Sequence, residues 1–271
     1  MATIIDQVTL RTGVADWLNR SDLTDNQIDD FVSIGEARLY EELRVPPLEV
    51  VQSFSVTVSN SSIIIPSGFI EIIELKLDNA ADKDEDIILS RVDSKTFSNN
   101  RISHAYTRQA NNMLITDKSG NQEASGTYVM TYYRAQDSIG TYATATTAVT
   151  AFVVGKYYKI VSLGNTSQSN WNTAAGTSNI TYAVGAIFKA AATTTGTGTA
   201  SIELIPYILG TEFETILFSS AAVGASFLGD VEMEQKYNEL TLRKVNALNQ
   251  KEIRASMKGS GFHAAFSNGL L

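Results

Sequence analysis

Over the first fifty residues the apolar positions recur at helical spacing. Ile5, Val8, Val14, Trp17 and Leu18 make an interrupted stripe, and Ile28, Phe31, Gly35, Leu39 and Leu43 follow a Thr24/Gln27 pair placed as a capping box. Two helices are predicted. Asp25, Asp29 and Asp30 lie early in the second and Arg38 and Arg44 late, as its dipole favours, and Pro46-Pro47 stops it. From Val50 the period becomes two: Val51, Phe54, Val56 and Val58, then Ile63 to Ile65, then Phe69 to Leu77, each bounded by Asn, Ser, Pro or Gly. Strands are also expected over His104–Arg108, Asn112–Ile115 and Thr127–Arg134, with a short helix over Ser94–Phe97 and a solvated hairpin tip at Asp82–Asp86.

Near Gly140 the composition turns to Thr, Ala, Gly and Ser with few charges, and stays so to about Ser201. Strand patterns at Lys156–Val161, Tyr182–Phe188 and Ala200–Leu204 mark this as an inserted module, and the Thr/Gly run 193–199 reads as a loop or edge strand. At about 55 residues the module is near the lower limit for a self-sufficient core, so it is expected to lean on its parent domain or on a neighbouring subunit. The helical period returns at Thr211–Leu228, apolar on most of its circumference, and continues in a last helix from Asp230 to about Met257. The fold class expected is α+β: a discontinuous helical core from both termini (1–47 and 204–258), a β-sheet domain between them (48–147), an inserted all-β module (148–203) and an extended C-terminal tail (259–271).

Composition narrows the chemistry. The absence of cysteine removes disulfides, thiolate metal sites and thiol nucleophiles. A formal charge of −8 argues against tight, sequence-independent binding to nucleic acid, which needs Lys and Arg to neutralise phosphates, though transient passage of DNA is compatible with it. No apolar stretch approaches the length of a membrane span and the N-terminus has no signal-peptide pattern, so a soluble, unprocessed chain with no membrane partner is expected.

Candidate catalytic constellations are thin. The two histidines, His104 and His263, have no carboxylate partner at metal-ligand spacing, and His104 reads as a strand residue. The acidic run Asp82, Asp84, Glu85, Asp86 lacks the spacing of a calcium loop, and Gly196-Thr197-Gly198 lacks a phosphate-binding pattern. Glu71 and Glu74 are candidate carboxylates for a wall hydrolase, but at i,i+3 on a strand they are expected on opposite faces. Tyr157, Tyr158 and Trp171 could form a glycan-binding platform; in a small β-module such side chains more often make the core. No cofactor, no metal and no catalytic residue is assigned. The basic balance of the last helix, with Arg243, Lys251, Arg254 and Lys258, is either a solvated face or a contact with an acidic partner surface or with DNA.

The order of segments resembles one family. VADWLNRSDL (Val14–Leu23), FVSIGEARLYEELRV (Phe31–Val45), IIIPSGFIEIIELKLDN (Ile63–Asn79), YVMTYYRAQ (Tyr128–Gln136) and SSAAVGASFLGDVEMEQKYNELTLRKVNAL (Ser219–Leu248) together resemble the podovirus-type head-to-tail adaptor (connector) proteins of tailed phages. Gly35 stands where that family usually has Ala. The insertion, with GKYYKIVSLGNTSQSNW, YAVGAIFKA and GTGTAS, resembles a small β-module found in phage virion proteins and is a departure from the family pattern.

The resemblance implies a non-enzymatic virion protein, made in the host cytoplasm and placed in the neck. It would form a homo-oligomeric ring, dodecameric by analogy, with the portal protein above, a tail or nozzle protein below, and DNA passing through. It also implies a C-terminal tail that docks on the portal, and Phe262, His263, Phe266, Leu270 and Leu271 are the residues available for that. The other readings are a tail or decoration protein whose β-module binds host glycan, and a cell-wall hydrolase.

Overall fold

The computed structural model describes residues 4–78, 87–99, 102–122 and 124–259, with side chains as far as residue 251 in the last helix. The chain is mixed α+β and divides into two compact units: Met1–Glu42 with Asp137–Ala247, and Leu43–Gln136 with Leu248–Leu271.

In the first unit the helices are α1 (Gln7–Trp17), α2 (Asp25–Glu42), α5 (Tyr207–Gly210), α6 (Phe213–Phe227) and the start of α7 (Val231–Gly259). Both N-terminal helices begin with reciprocal caps. Thr9 donates its amide to Asp6 Oδ1 (2.8 Å) while the Asp6 amide donates to Thr9 Oγ1 (3.2 Å), and the Thr24 amide donates to Gln27 Oε1 at 2.9 Å. Helix α6 is the centre. Every residue from Thr215 to Ala225 is buried, and α1, α2 and α5 pack against it. Small side chains let the helices come close: a Cβ on Gly35 of α2 would meet the Ser220 backbone nitrogen of α6 at 2.9 Å. Trp17, Phe218 and Tyr237 form an aromatic cluster, closed by the Tyr237 hydroxyl donating to the Trp17 carbonyl at 2.7 Å.

The inserted region belongs to this unit and has a core of its own. Its antiparallel sheet has the order β11 (Ile187–Lys189), β10 (Tyr157–Ser162), β12 (Thr199–Glu203), β9 (Tyr142–Ala148). The expectation of an all-β module is corrected by α4 (Gln168–Ala175), which carries Trp171 into the core. Ser167 caps α4 and Gly176 ends it in the left-handed conformation, signals that were present in the sequence at the span of two turns. Strand β9 comes from a Thr/Ala run that has no periodic pattern, and the strand expected over Tyr182–Phe188 is reduced to Ile187–Lys189. The Thr/Gly run is a loop tied to residues 165–170: the Thr197 amide donates to Asn165 Oδ1 (2.8 Å) and the Gly198 amide to Thr166 Oγ1 (2.8 Å).

The second unit holds two four-stranded sheets. One has the order β1 (Glu49–Val56), β8 (Gly126–Arg134), β3 (Phe69–Asp78), β4 (Ile87–Ile88); the other β2 (Ser62–Ile64), β7 (Asn112–Ile115), β6 (Ala105–Gln109), β5 (Ser90–Arg91). Leu75, Tyr128, Met130 and Tyr132 from the first and Ile63, Tyr106, Met113 and Ile115 from the second share one apolar cluster. Helix α3 (Ser94–Asn99) lies between β5 and β6 in sequence and contacts β6.

Candidate functional site

Each unit carries a concave surface. On the helical unit, α1 and α6 border a groove of about 650 Å³ whose walls include Gly13, Trp17, Leu217 and Phe218 and whose rim carries Asp16 and Glu214. On the β unit, Arg44, Arg91 and Arg108 line a recess of about 270 Å³ together with Phe69, Glu71 and Tyr106. Arg44 pairs with Glu71 at 2.7 Å, and the Arg108 guanidinium lies 5.7 Å from the centroid of the Phe69 ring.

In the helical unit the charged groups are held in fixed places. Arg11 of α1 grips Asp29 of α2 through Nε (2.6 Å) and a terminal nitrogen (2.5 Å), and the Gln7 side chain donates to the same carboxylate at 3.1 Å. The Gln7 amide donates to Glu203 Oε1 at 3.0 Å, tying α1 to the module. Burial pushes the Glu203 carboxyl up, and burial with the Glu203 charge nearby pushes the Tyr142 hydroxyl up to about 12. Glu36 of α2 is 4% exposed and receives the Ile139 amide at 3.2 Å and 3.3 Å. Burial pushes its pKa up to about 7, with hydrogen bonds from Ile139 and Tyr40 pulling the other way.

Of the residues named from sequence for docking, Phe262, His263, Phe266, Leu270 and Leu271 lie outside the described residues, as do the side chains of Arg254 and Lys258. Arg243 is exposed and bonded to Glu239 at 2.5 Å one turn away, and Lys251 is exposed. The neighbouring Lys244 bonds Glu214 of α6. The acidic run Asp82–Asp86 also lies outside the described residues.

Two readings of single residues are corrected. His104 is not in a strand: it sits in the turn before β6 with a left-handed backbone (φ 47°). Glu71 and Glu74 are not on opposite faces. Glu71 faces Tyr133 and Glu74 faces Thr131, two residues apart on β8 and therefore on one side; a bulge at Ile73 inserts the extra residue that undoes the alternation. Glu71 is nonetheless committed to Arg44. Trp171 and Tyr158 are buried, so neither offers an exposed ring, and Tyr157 is half-buried with Lys189 over it. Among the described residues no cluster of His, Asp and Glu is arranged to hold a metal, and no helix is long and apolar enough to cross a membrane.

The sequence model of the SU10 adaptor protein family matches residues 8–201. The chain belongs to this phage adaptor family. That makes it a virion component of a structural protein family, one whose members work in contact with other virion proteins. The SU10 adaptor match runs through the inserted region and ends within β12, before α5, α6 and α7, although the sequence resemblance set the insertion apart and included the last helix pair. A search of curated proteins finds no match.

Sequence reasoning missed Glu36, the arginine recess and the groove. Glu36 had a signal: a carboxylate next to Gly35 and one turn from Leu39 and Tyr40, inside the stripe that packs α2. The three arginines had none, since residues 44, 91 and 108 meet only after the strands pair.

Proposed function

We propose that this adaptor forms the ring between portal and tail in the neck of the virion and continues the DNA channel. The family match over residues 8–201 is the observation that supports this reading. Ring closure by one repeated head-to-tail contact multiplies a modest interface around the axis, which suits a junction that must hold packaged DNA. In this reading the helical segments within 1–47 and 204–258 form the body, the sheets of residues 49–134 the β-domain, residues 142–203 the inserted module, whose sheet includes β9, and 259–271 the anchoring tail. Phe262, His263, Phe266, Leu270 and Leu271 enter clefts of the portal, and Arg243, Lys251, Arg254 and Lys258 meet an acidic partner surface. The subunit number is that of the dodecameric portal it joins, and a tail or nozzle protein binds the far side.

The test is to mix the purified protein with purified portal rings and, separately, with tail protein, and to follow mass by light scattering and shape by negative-stain imaging. A stacked ring on the portal is the expected result; a protein that ignores the portal and binds only the tail protein would move the function to the tail. A glycan-binding module has no support from Tyr158 and Trp171, which are buried.

A further inference from the structure

We propose that the recess lined by Arg44, Arg91 and Arg108 receives the acidic stretch Asp82–Asp86 of a second copy of this chain. The proposal rests on the ring reading for its setting and on charge and geometry for its content.

The recess is a local reversal of charge in a chain of net charge −8. Three guanidinium groups reach it from residues far apart in sequence, and Glu71 is the one carboxylate among its lining residues. Glu71 is engaged by Arg44 at 2.7 Å. Among the described residues neither Arg91 nor Arg108 is ion-paired. Arg108 is held in place by the Phe69 ring and by the Ala110 carbonyl at 3.4 Å, which leaves its outer edge available to a bidentate acceptor. Guanidinium forks with an aromatic wall suit a carboxylate. A DNA backbone would need a cationic stripe extending past the recess, and the acidic chain does not supply one.

The sequence contains a stretch of matching charge. Asp82, Asp84, Glu85 and Asp86 put four carboxylates against Lys83 within five residues. The flanking strands place its ends at Asp78 and Ile87, whereas the recess is lined by residues 69–72, at the other end of β3, and by Arg91, four residues past Ile87. From Ile72 to Asp78 is roughly 20 Å of strand, and from Ile87 to Arg91 roughly 13 Å, at about 3.3 Å per residue, so both ends of the stretch are anchored away from its own recess. A neighbouring copy has no such constraint. Recess and stretch are different surfaces of one chain, and pairing one with the other between copies is a heterologous contact of the kind that closes rings.

The experiment uses the full chain and a fluorescein-labelled peptide of residues 79–88, followed by anisotropy. Saturable binding is expected, weakened at least about tenfold by Arg91→Glu with Arg108→Glu, and likewise by replacing the peptide's Asp and Glu with Asn and Gln. Both arginines are exposed, so circular dichroism should show the variant folded. In parallel, native mass is measured for the wild type, the arginine variant, a variant with Asp84→Lys and Glu85→Lys, and the combined reversal, alone and with portal. Loss of assembly in each single-sided variant and its recovery in the combined one is the expected pattern. Equal peptide binding by wild type and arginine variant, or none by either, overturns the proposal. So does peptide binding that appears only after the chain's own acidic stretch is neutralised, because the occupant is then internal. Wild-type rings that survive both reversals leave the ring reading standing without this contact; arginine-dependent peptide binding with no ring under any condition sinks the ring reading and keeps the recess.

Discussion

The hydroxyl of Ser219 donates to the backbone carbonyl of Gly35 at 2.9 Å, between two helices that touch backbone to backbone. Contact this close requires residue 35 to have no side chain: a Cβ there would meet Ser220 nitrogen at 2.9 Å and the Ser219 carbonyl carbon at 3.1 Å, and neither can swing aside as a flexible side chain would. The bond and the missing Cβ together fix how α2 sits on the buried α6.

Gly35→Ala should therefore destabilise the protein by about 1–3 kcal/mol, even though alanine is the better helix former and the residue usual in the resembled family. Chemical denaturation read by far-ultraviolet circular dichroism measures this. A neutral or stabilising Gly35→Ala would mean that α2 and α6 have room to separate.

Glu36 makes stability fall as pH rises. Its folded pKa of about 7 lies above the ordinary value of 4.5, so the folded state holds the proton more tightly than the unfolded one. The contribution is fully present below about pH 4.5 and is lost as pH climbs through about 7, a change on the order of 3 kcal/mol. Glu36→Gln keeps an acceptor for the Ile139 amide and removes the ionisation. Its unfolding free energy should vary less than wild type's between pH 5 and pH 8, and wild type and variant should differ most at the alkaline end.

Trp171→Ala should cost about 3–5 kcal/mol, because Trp171 is fully buried among Phe152, Phe188 and α4's own Ala174. Gly198→Ala should act on the same core from the other side, since its Cβ would meet the Trp171 ring at 2.5 Å. Loss of near-ultraviolet dichroism and of hydrogen-exchange protection in residues 149–202, with α6 still protected, is the expected signature.

Arg11→Lys keeps the charge beside Asp29 and loses the two-pronged grip. A decrease of about 1 kcal/mol in stability is expected, measurable in the same denaturation assay.

Truncation after Gly259 should leave the melting temperature within about 2 °C of the full chain and abolish co-sedimentation with portal rings, the outcome that the anchoring role proposed for 260–271 requires. Undiminished portal binding by the truncated chain would remove Phe262 to Leu271 from the anchoring role.

Periodicity made much of the fold readable in advance. The stripe of α2 is buried by its neighbours and that of α6 from Ile216 to Ala222, while in the stripe of α1 only Val14 is fully buried and Ile5 is exposed; the Thr24/Gln27 cap forms, and the alternating runs at residues 50–56, 69–77 and 127–134 become β1, β3 and β8. These features are local: a 3.6-residue or two-residue repeat, or a cap three residues long, is written within the segment that obeys it. The order of those segments also carried the family resemblance.

What tertiary structure alone decided has a common physical origin, which is that it depends on a second segment distant in sequence. Tyr142–Ala148 is a strand because β12 offers it a hydrogen-bonding edge, and its Thr/Ala sequence has no period to announce this. Ile73 bulges because of its register against β8, and that one residue returns Glu71 and Glu74 to a shared face. Glu36 is buried with the amide of Ile139, about a hundred positions away, bonded to it, and Arg44, Arg91 and Arg108 converge because the segment after α2, β5 and β6 meet around one recess. The sequence determined the helices and strands whose own period announces them, and the order of segments that resembles the family. The pairing of those segments decided which charges are buried, which face one another and which are left for a partner, because desolvation and Coulomb energies depend on distance in space and not on distance along the chain.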